Sequence, residues 1–524
     1  MVDTGASSPE FSGLRAFFWP VHGHELRKFF PMFLLFFLIF FDYNVLRTMK
    51  DALVVTAKSS GAEVIPFIKV WVMFPGAIAM TYIFTRLSNR FPFETVFYVM
   101  MGLFLAYFLV FAVLAYPLRD ELHANHLADT LQVWLPAGFK GMIAMIRYWI
   151  FTSFYVMSEL WSPIILSVLF WGFANQVTRI GEAKRFYGLF GIGANISGTA
   201  AGALSCLVCL QPYNADLPFG KDAWEQSVFI QILFVLIAGF LAIAIFRWMH
   251  VTVLKDPRFC DKIQMHLEHE SSYKLSMREN FKLLFKNPYL LSIALIVVAY
   301  NLVINLTEVV WKHEVKALYP LPLDYNMYMG EVTFVTSIVA TLSAMLISGN
   351  AIRFFGWRFA ALLTPVTLFV TSLGFFGFLL LQDNLSFSSF TALGALGASS
   401  LTIAVFFGSA QNVMSRAAKY SVFDATKEIA FVPLSRDLKL KGKAAIDGVG
   451  SRLGKSGGSV IHQVLLLTFA SITASAPYVA GFLFAAIGIW LAATWSLGRK
   501  FNELTQRGSS LDTSSDEREL ALQE

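Results

Sequence analysis

Apolar residues in this chain gather in long runs separated by short polar stretches. The first run spans about Phe29 to Leu46. Others follow near 64–85, 94–117, 139–178, 187–210, 227–246, 288–311, 331–351, 357–381, 388–414, 458–475 and 478–497. A helix needs about 20 apolar residues to cross about 30 Å of hydrocarbon. Membrane-spanning strands would alternate polar and apolar positions, and these runs do not. The pattern therefore predicts an all-α polytopic membrane protein with about twelve spans, because helices satisfy their own backbone in lipid. The 139–178 run exceeds one span and reads as a long tilted helix bent near Pro163. Residues 1–27 are mixed and polar, without an apolar core followed by a small-residue cleavage site, so the first span reads as retained. Residues 498–524 are rich in Ser and acids and read as a disordered tail.

Basic residues recur in every second loop. They precede the first span (Arg15, Arg27, Lys28) and follow the second (Arg86, Arg90), fourth (Arg179, Lys184, Arg185), sixth (Arg247, Lys255), eighth (Arg353, Arg358), tenth (Arg416, Lys419) and twelfth (Arg499, Lys500). The positive-inside rule then places both termini in the cytoplasm.

The chain also repeats. Tyr43-Asn44 in FDYNVLRTMKD matches Tyr300-Asn301 in VAYNLVINLTE, and that register aligns Asp51 with Glu308. FWGFANQV from Phe170 matches FFGSAQNV from Phe406. Both matches run in the same order, six spans apart. They predict two parallel, pseudo-symmetric six-helix bundles, as in major-facilitator-type carriers. The organisation read from sequence is an N-terminal segment (1–27), one bundle (28–249), a cytoplasmic linker (250–286), a second bundle (287–497) and the tail.

Composition agrees. The chain is 56% hydrophobic and 15% charged, against roughly 25% charged in soluble proteins. The net charge of +6 reads as loop charge and anion attraction rather than nucleic-acid binding. Cys206 and Cys209 form a CxxC inside an apolar run with no nearby His, which reads as lipid-facing packing rather than zinc. Cys260 stands alone, and His266 and His269 read as part of a solvated loop. No metal quartet, cofactor motif or catalytic set emerges, so no enzyme is indicated. The LGKSGG around Lys455 lacks the first glycine of a nucleotide P-loop, since Val449 stands there. It reads as a closely packed helix start.

Charges inside the apolar runs carry the functional reading, since each costs about 2.5–3.5 kcal/mol at a helix centre unless it faces protein or water. Arg47, Lys50 and Asp51 share one helix face by their i, i+3, i+4 spacing. Arg147 falls in the fourth run, and its planar fork suits a phosphate. Glu159 lies more than three turns further on, too far to pair with it if the run is one helix. Glu159 and Glu308 lie in opposite halves and would pair with Lys50 and Lys427, or carry protons. Lys427 opens a semi-polar stretch, 420–457, able to present it or Lys455 to the centre.

The segments YNVLRTMKDALVVTAKSSGAEVIPFIKVW, SELWSPIILSVLFWGFANQ, EAKRFYGLFGIGANISG, NLTEVVWK and FDATKEIAFVPL are similar to those of the ATP/ADP translocases, the nucleotide transporters of obligate intracellular bacteria and plastids. The resemblance runs from the first span to the eleventh. It implies a major-facilitator-like fold and nucleotide exchange across a bacterial inner membrane or a plastid inner envelope. It also implies transport roles for Lys50, Glu159, Glu308 and Lys427. Family members commonly have NYTILRDTKD where this chain has DYNVLRTMKD. Members differ in mode: ATP for ADP, several nucleoside triphosphates with protons, or NAD for ADP.

The resulting expectation is a carrier, monomeric and set in the lipid bilayer, that takes ATP and ADP and needs no cofactor. Lys50, Arg147 and Lys427 hold phosphates, with Arg47 beside them. Tyr43, Asn301, Asn305 and Trp311 hold the base. Glu159 and Glu308 pair with basic residues or gate the cavity, and Asp51 and Glu428 serve as gating or ion-pair residues. Alternatives are a proton-coupled nucleotide importer, a NAD/ADP exchanger, and a membrane enzyme acting on a phosphate-containing substrate.

Overall fold

Backbone in hydrocarbon has to satisfy its own hydrogen bonds, and here helices do so throughout: no strand occurs among the described residues. The computed structural model describes residues 20–256, 287–381, 399–434 and 450–521, with isolated positions between the last two ranges. Cys260, His266 and His269, and the start of the 388–414 run, lie outside the described residues.

The first lobe holds α1 (Leu26–Val55), α2 (Val64–Ser88), α3 (Phe93–Ala115), a short amphipathic α4 (Asn125–Trp134), α5 (Lys140–Arg147), α6 (Trp149–Val177), α7 (Ile180–Cys209) and α8 (Ala223–Val253). The second holds α9 (Pro288–Leu318), α10 (Pro322–Leu346), α11 (Ser348–Leu381, broken at Gly356), α12 (Ser400–Ala418), α13 (Asp424–Ala430), α14 (Ser451–Phe469) and α15 (Ile472–Ala521). Ten helices are long and apolar enough to cross a membrane among the described residues. The other two expected spans, in α12 and α14, are helical but carry more polar residues.

Three sequence readings change. The 139–178 run is not one helix, because Tyr148 leaves helical geometry (φ −100°, ψ 47°) and separates α5 from α6. Pro163 opens a π-helical stretch, Ser162–Phe170, inside α6, as a missing N–H invites. The eleventh helix begins at Ser451 rather than 458 and ends where Ala470 turns left-handed (φ 61°). In addition, α15 continues as helical backbone to Ala521, into the segment read as a disordered tail.

The lobes meet along two seams. On one, α7 lies against α10 so closely that a Cβ on Gly202 would sit 2.6 Å from the backbone N of Phe334. Small residues permit that approach in lipid, where dispersion and not water exclusion drives helix association. Cys206 and Cys209 belong to this seam rather than to the lipid face: Cys206 Sγ lies 3.6 Å from the Met327 carbonyl, and Cys209 Sγ accepts from Asn326 Nδ2 at 3.3 Å. On the other seam, Gln463 of α14 donates to the Pro66 carbonyl of α2 at 2.8 Å.

Candidate functional site

Between the lobes lies a cavity of about 1270 Å³, larger than the ~300–1,000 Å³ of most small-molecule sites. Its wall on α1 runs from Phe40 to Arg47, and on α2 from Lys69 out to Thr85. It therefore opens at the end where α1 begins and α2 finishes. The opposite end is shut by the Gln463–Pro66 bond, by Leu466 and Leu467 packed on Gly138, and by Lys316 Nζ donating to the Ser60 carbonyl.

The wall is cationic. Among the described residues, seven basic side chains line it (Arg47, Lys69, Arg416, Lys419, Lys427, Arg452, Lys455) against four carboxylates (Glu159, Glu308, Asp424, Glu428). Five of the seven come from α12 to α14 and the turns joining them, so the second lobe supplies most of the positive field. The glycines of the LGKSGG stretch bring α14 to that wall. A Cβ on Gly454 would lie 2.6 Å from the Val298 carbonyl of α9, and one on Gly458 would lie 2.7 Å from Asn305 Oδ1.

At the inner end the charges form a chain that runs Lys69, Glu308, Lys312, Asp51, Lys50, Glu159. The successive nitrogen-to-oxygen distances are 3.2, 2.8, 2.8, 3.0 and 2.9 Å. The middle is sealed: Lys312, Asp51 and Lys50 side chains are 1%, 1% and 3% exposed. Lys50 Nζ also lies 4.0 Å above the Tyr155 ring, a favourable place for a desolvated ammonium. Both ends reach the cavity, Lys69 at 20% and Glu159 at 31% exposure. Three cations alternate with three anions, which is how six charges tolerate burial.

Of the residues picked out from sequence, Tyr43, Arg47, Glu159, Asn301, Asn305, Glu308, Lys427 and Glu428 line the cavity. Lys50 and Asp51 sit behind its wall, within the chain of charges. Glu159 pairs with Lys50 as expected. Glu308 does not pair with Lys427; its partners are Lys69 and Lys312. Lys427 instead lies 3.5 Å from Glu428, which Lys443 also engages at 2.6 Å.

Three expected ligand contacts are corrected. Lys50, expected to hold phosphate, is sealed between Asp51 and Glu159 with its side chain 3% exposed and does not face the cavity. Arg147 is not on the cavity wall: the break at Tyr148 puts it at the end of α5, where it pairs with Asp129 of α4 at 2.6 Å. Trp311 is 1% exposed, donates through Nε1 to Ser409 at 3.1 Å and packs on Gly408, so it offers no face to a ligand.

Sequence reasoning missed Lys69 and Lys312, and it counted Arg416 and Lys419 as loop charge. Lys312 carried a signal, since it stands four residues after Glu308 on the same helix face. Lys69 carried another, as a lone charge in FIKVWV.

A two-lobed helical bundle with a cation-lined cavity, shut at one end and open at the other, defines a membrane carrier for an anionic solute. The profile of the TLC ATP/ADP transporter family matches residues 4–501. The ADP,ATP carrier protein 1 of Chlamydia muridarum is 44% identical over 95% of this chain and 93% of its own length. The Rickettsia typhi ADP,ATP carrier protein 1 is 38% identical over 97% of this chain and 100% of its own. The chloroplastic ADP,ATP carrier protein 1 of Arabidopsis thaliana is 41% identical over 91% of this chain and 74% of its own. The chain belongs to the TLC ATP/ADP transporter family. Its fold is that of a bacterial ferroportin homologue in an inward-facing state (TM-score 0.54, 16% identity, covering 90% of this chain and 98% of that one). It is likewise that of a D-xylose-proton symporter (TM-score 0.53, 12% identity, 90% and 96% covered).

Proposed function

We propose that this protein exchanges ATP for ADP across a membrane by alternating access, moving the nucleotide without chemical conversion. The observation that carries the proposal is the surplus of cations on the cavity wall in a chain of this family. A polyphosphate brings several negative charges, and fixed cations in a low-dielectric cleft attract it strongly. Arg47 and Lys427 lie where they can reach phosphates, and Lys455 lines the same cavity from the second lobe. Tyr43, Asn301 and Asn305 supply one ring and two amides for the base. The two lobes rock about the bound nucleotide. Closing an empty cleft would bury unmatched cations at high cost, and a bound nucleotide removes that barrier, so exchange outruns empty return. We place the protein in a bacterial inner membrane with both termini cytoplasmic, on the strength of the basic loops. The cavity then opens to the cytoplasm.

The test is uptake of labelled ATP by proteoliposomes with and without internal ADP. Uptake that requires internal ADP and survives a protonophore supports exchange. Uptake that ignores internal ADP and collapses with the proton gradient assigns proton-coupled import instead.

A further inference from the structure

We propose that Lys69 is a phosphate-binding residue of this carrier, and that a phosphate reaching it displaces Glu308 and so undoes one of the two cross-lobe ion pairs beside the shut end of the cleft. The proposal rests on the nucleotide-exchange reading above.

The chain of charges has a direction. Its cationic end is Lys69 and its anionic end is Glu159, both on the cavity. A polyphosphate entering from the open side is repelled by Glu159 and drawn to Lys69. The other two lysines are out of reach. Lys50 and Lys312 are sealed, and each is held by two carboxylates, whereas Lys69 pairs only with Glu308 among the described residues. An ammonium serves as a point charge for phosphate from any direction. Lys69 also sits in a π-helical stretch, Ile68–Met73, just past the start of α2. Such stretches often mark functional positions.

Displacement strands nothing. When Lys69 turns to a phosphate, Glu308 keeps its second oxygen 2.8 Å from Lys312. Within the chain of charges, the links that cross between lobes are Lys69–Glu308 and Asp51–Lys312. The first lobe contributes Lys50 and Lys69 with Asp51 and Glu159, and the second contributes Lys312 with Glu308. Each lobe is neutral alone, so parting them leaves no net charge on either side. Breaking one cross-link by ligand exchange therefore favours the opening that lets the solute leave on the other side.

The experiment uses purified full-length protein with its three cysteines replaced and spin labels at Lys58 and Thr473, exposed positions on opposite lobes at the shut end. Labelled ATP and ADP binding is measured alongside the inter-label distance. In the parent protein, nucleotide should raise the long-distance population. Lys69→Gln should bind nucleotide about tenfold more weakly, as loss of a charge-assisted contact implies. It should also show the long distance without nucleotide and fail to respond to it. Lys69→Arg should retain binding. Glu308→Gln, which removes the same cross-link but keeps the Lys69 ammonium, should also show the long distance without nucleotide while affinity is retained. Wild-type affinity in Lys69→Gln would overturn the proposal while leaving nucleotide transport intact. A loss of affinity in Glu308→Gln equal to that in Lys69→Gln would reduce Lys69 to a latch and overturn it as well. A parent protein that binds neither nucleotide would overturn the functional reading together with this one.

Discussion

Asp51 and Glu308, which the internal repeat aligns, converge on one cation: Lys312 Nζ lies 2.8 Å from a carboxylate oxygen of each. One acid comes from each lobe. The pseudo-twofold relation of the chain is thus converted into a cross-lobe contact at the shut end of the cleft. Lys312 should be the member whose loss is felt most. Lys312→Gln leaves two buried carboxylates facing each other, and removing one partner of a buried ionic set costs about 3–5 kcal/mol. The unfolding temperature in detergent should fall markedly, and adding Asp51→Asn should recover part of the loss. Additive destabilisation in the double variant would count against the shared contact.

Lys50 and Lys427 should fail in different ways. Lys50 is sealed between Asp51 and Glu159, so Lys50→Ala should lower both thermal stability and ADP-stimulated ATP uptake. Lys427 lines the cavity beside Glu428. Lys427→Ala should therefore insert and melt almost as the parent does, while uptake is lost or its KM rises about tenfold, as expected for a charge-assisted contact to substrate. Unfolding curves and uptake kinetics on the same preparations check the contrast. Wild-type exchange in either variant would refute the assignment.

Arg147→Ala tests the correction made by the structure. Arg147 pairs with an Asp129 that is 68% exposed, and ion pairs of this kind contribute about 0–1 kcal/mol. Uptake should keep its KM for ATP, with a small fall in melting temperature. A large rise in KM would return Arg147 to the binding site.

Glycine positions on α14 should sort by contact. Gly454→Ala drives a Cβ onto the Val298 backbone carbonyl at 2.6 Å, and overpacking of this kind costs about 1–3 kcal/mol. Gly457→Ala meets nothing within 4 Å and should be neutral or slightly stabilising, since Ala favours helix by about 1 kcal/mol over Gly. Melting temperatures of the two variants should separate clearly.

Long apolar runs were enough to reveal the spans and the helical class, because bilayer thickness imposes a local length that any stretch of chain displays by itself. Most charges inside those runs were legible too, since hydrocarbon makes each one costly: Glu159, Glu308, Lys50 and Arg47 all reach the cavity or the ion chain just behind it, while Lys69 was passed over. Arg147 was misplaced because one non-helical residue, Tyr148, splits an apolar run without changing its composition. Trp311 was misplaced because an aromatic ring reads alike whether it faces a cleft or fills a core.

What the tertiary structure alone decided is partnership. Lys69 meets Glu308 across 239 residues of sequence, and Lys312 meets Asp51 from the other lobe. Span length and burial cost act on each helix separately, so they can be read along the chain. Which cation neutralises which anion depends on how two bundles pack and which end of the cleft is shut, and that is settled only when close-packed seams such as Gly202 on α10 and Gly454 on α9 set the helices side by side.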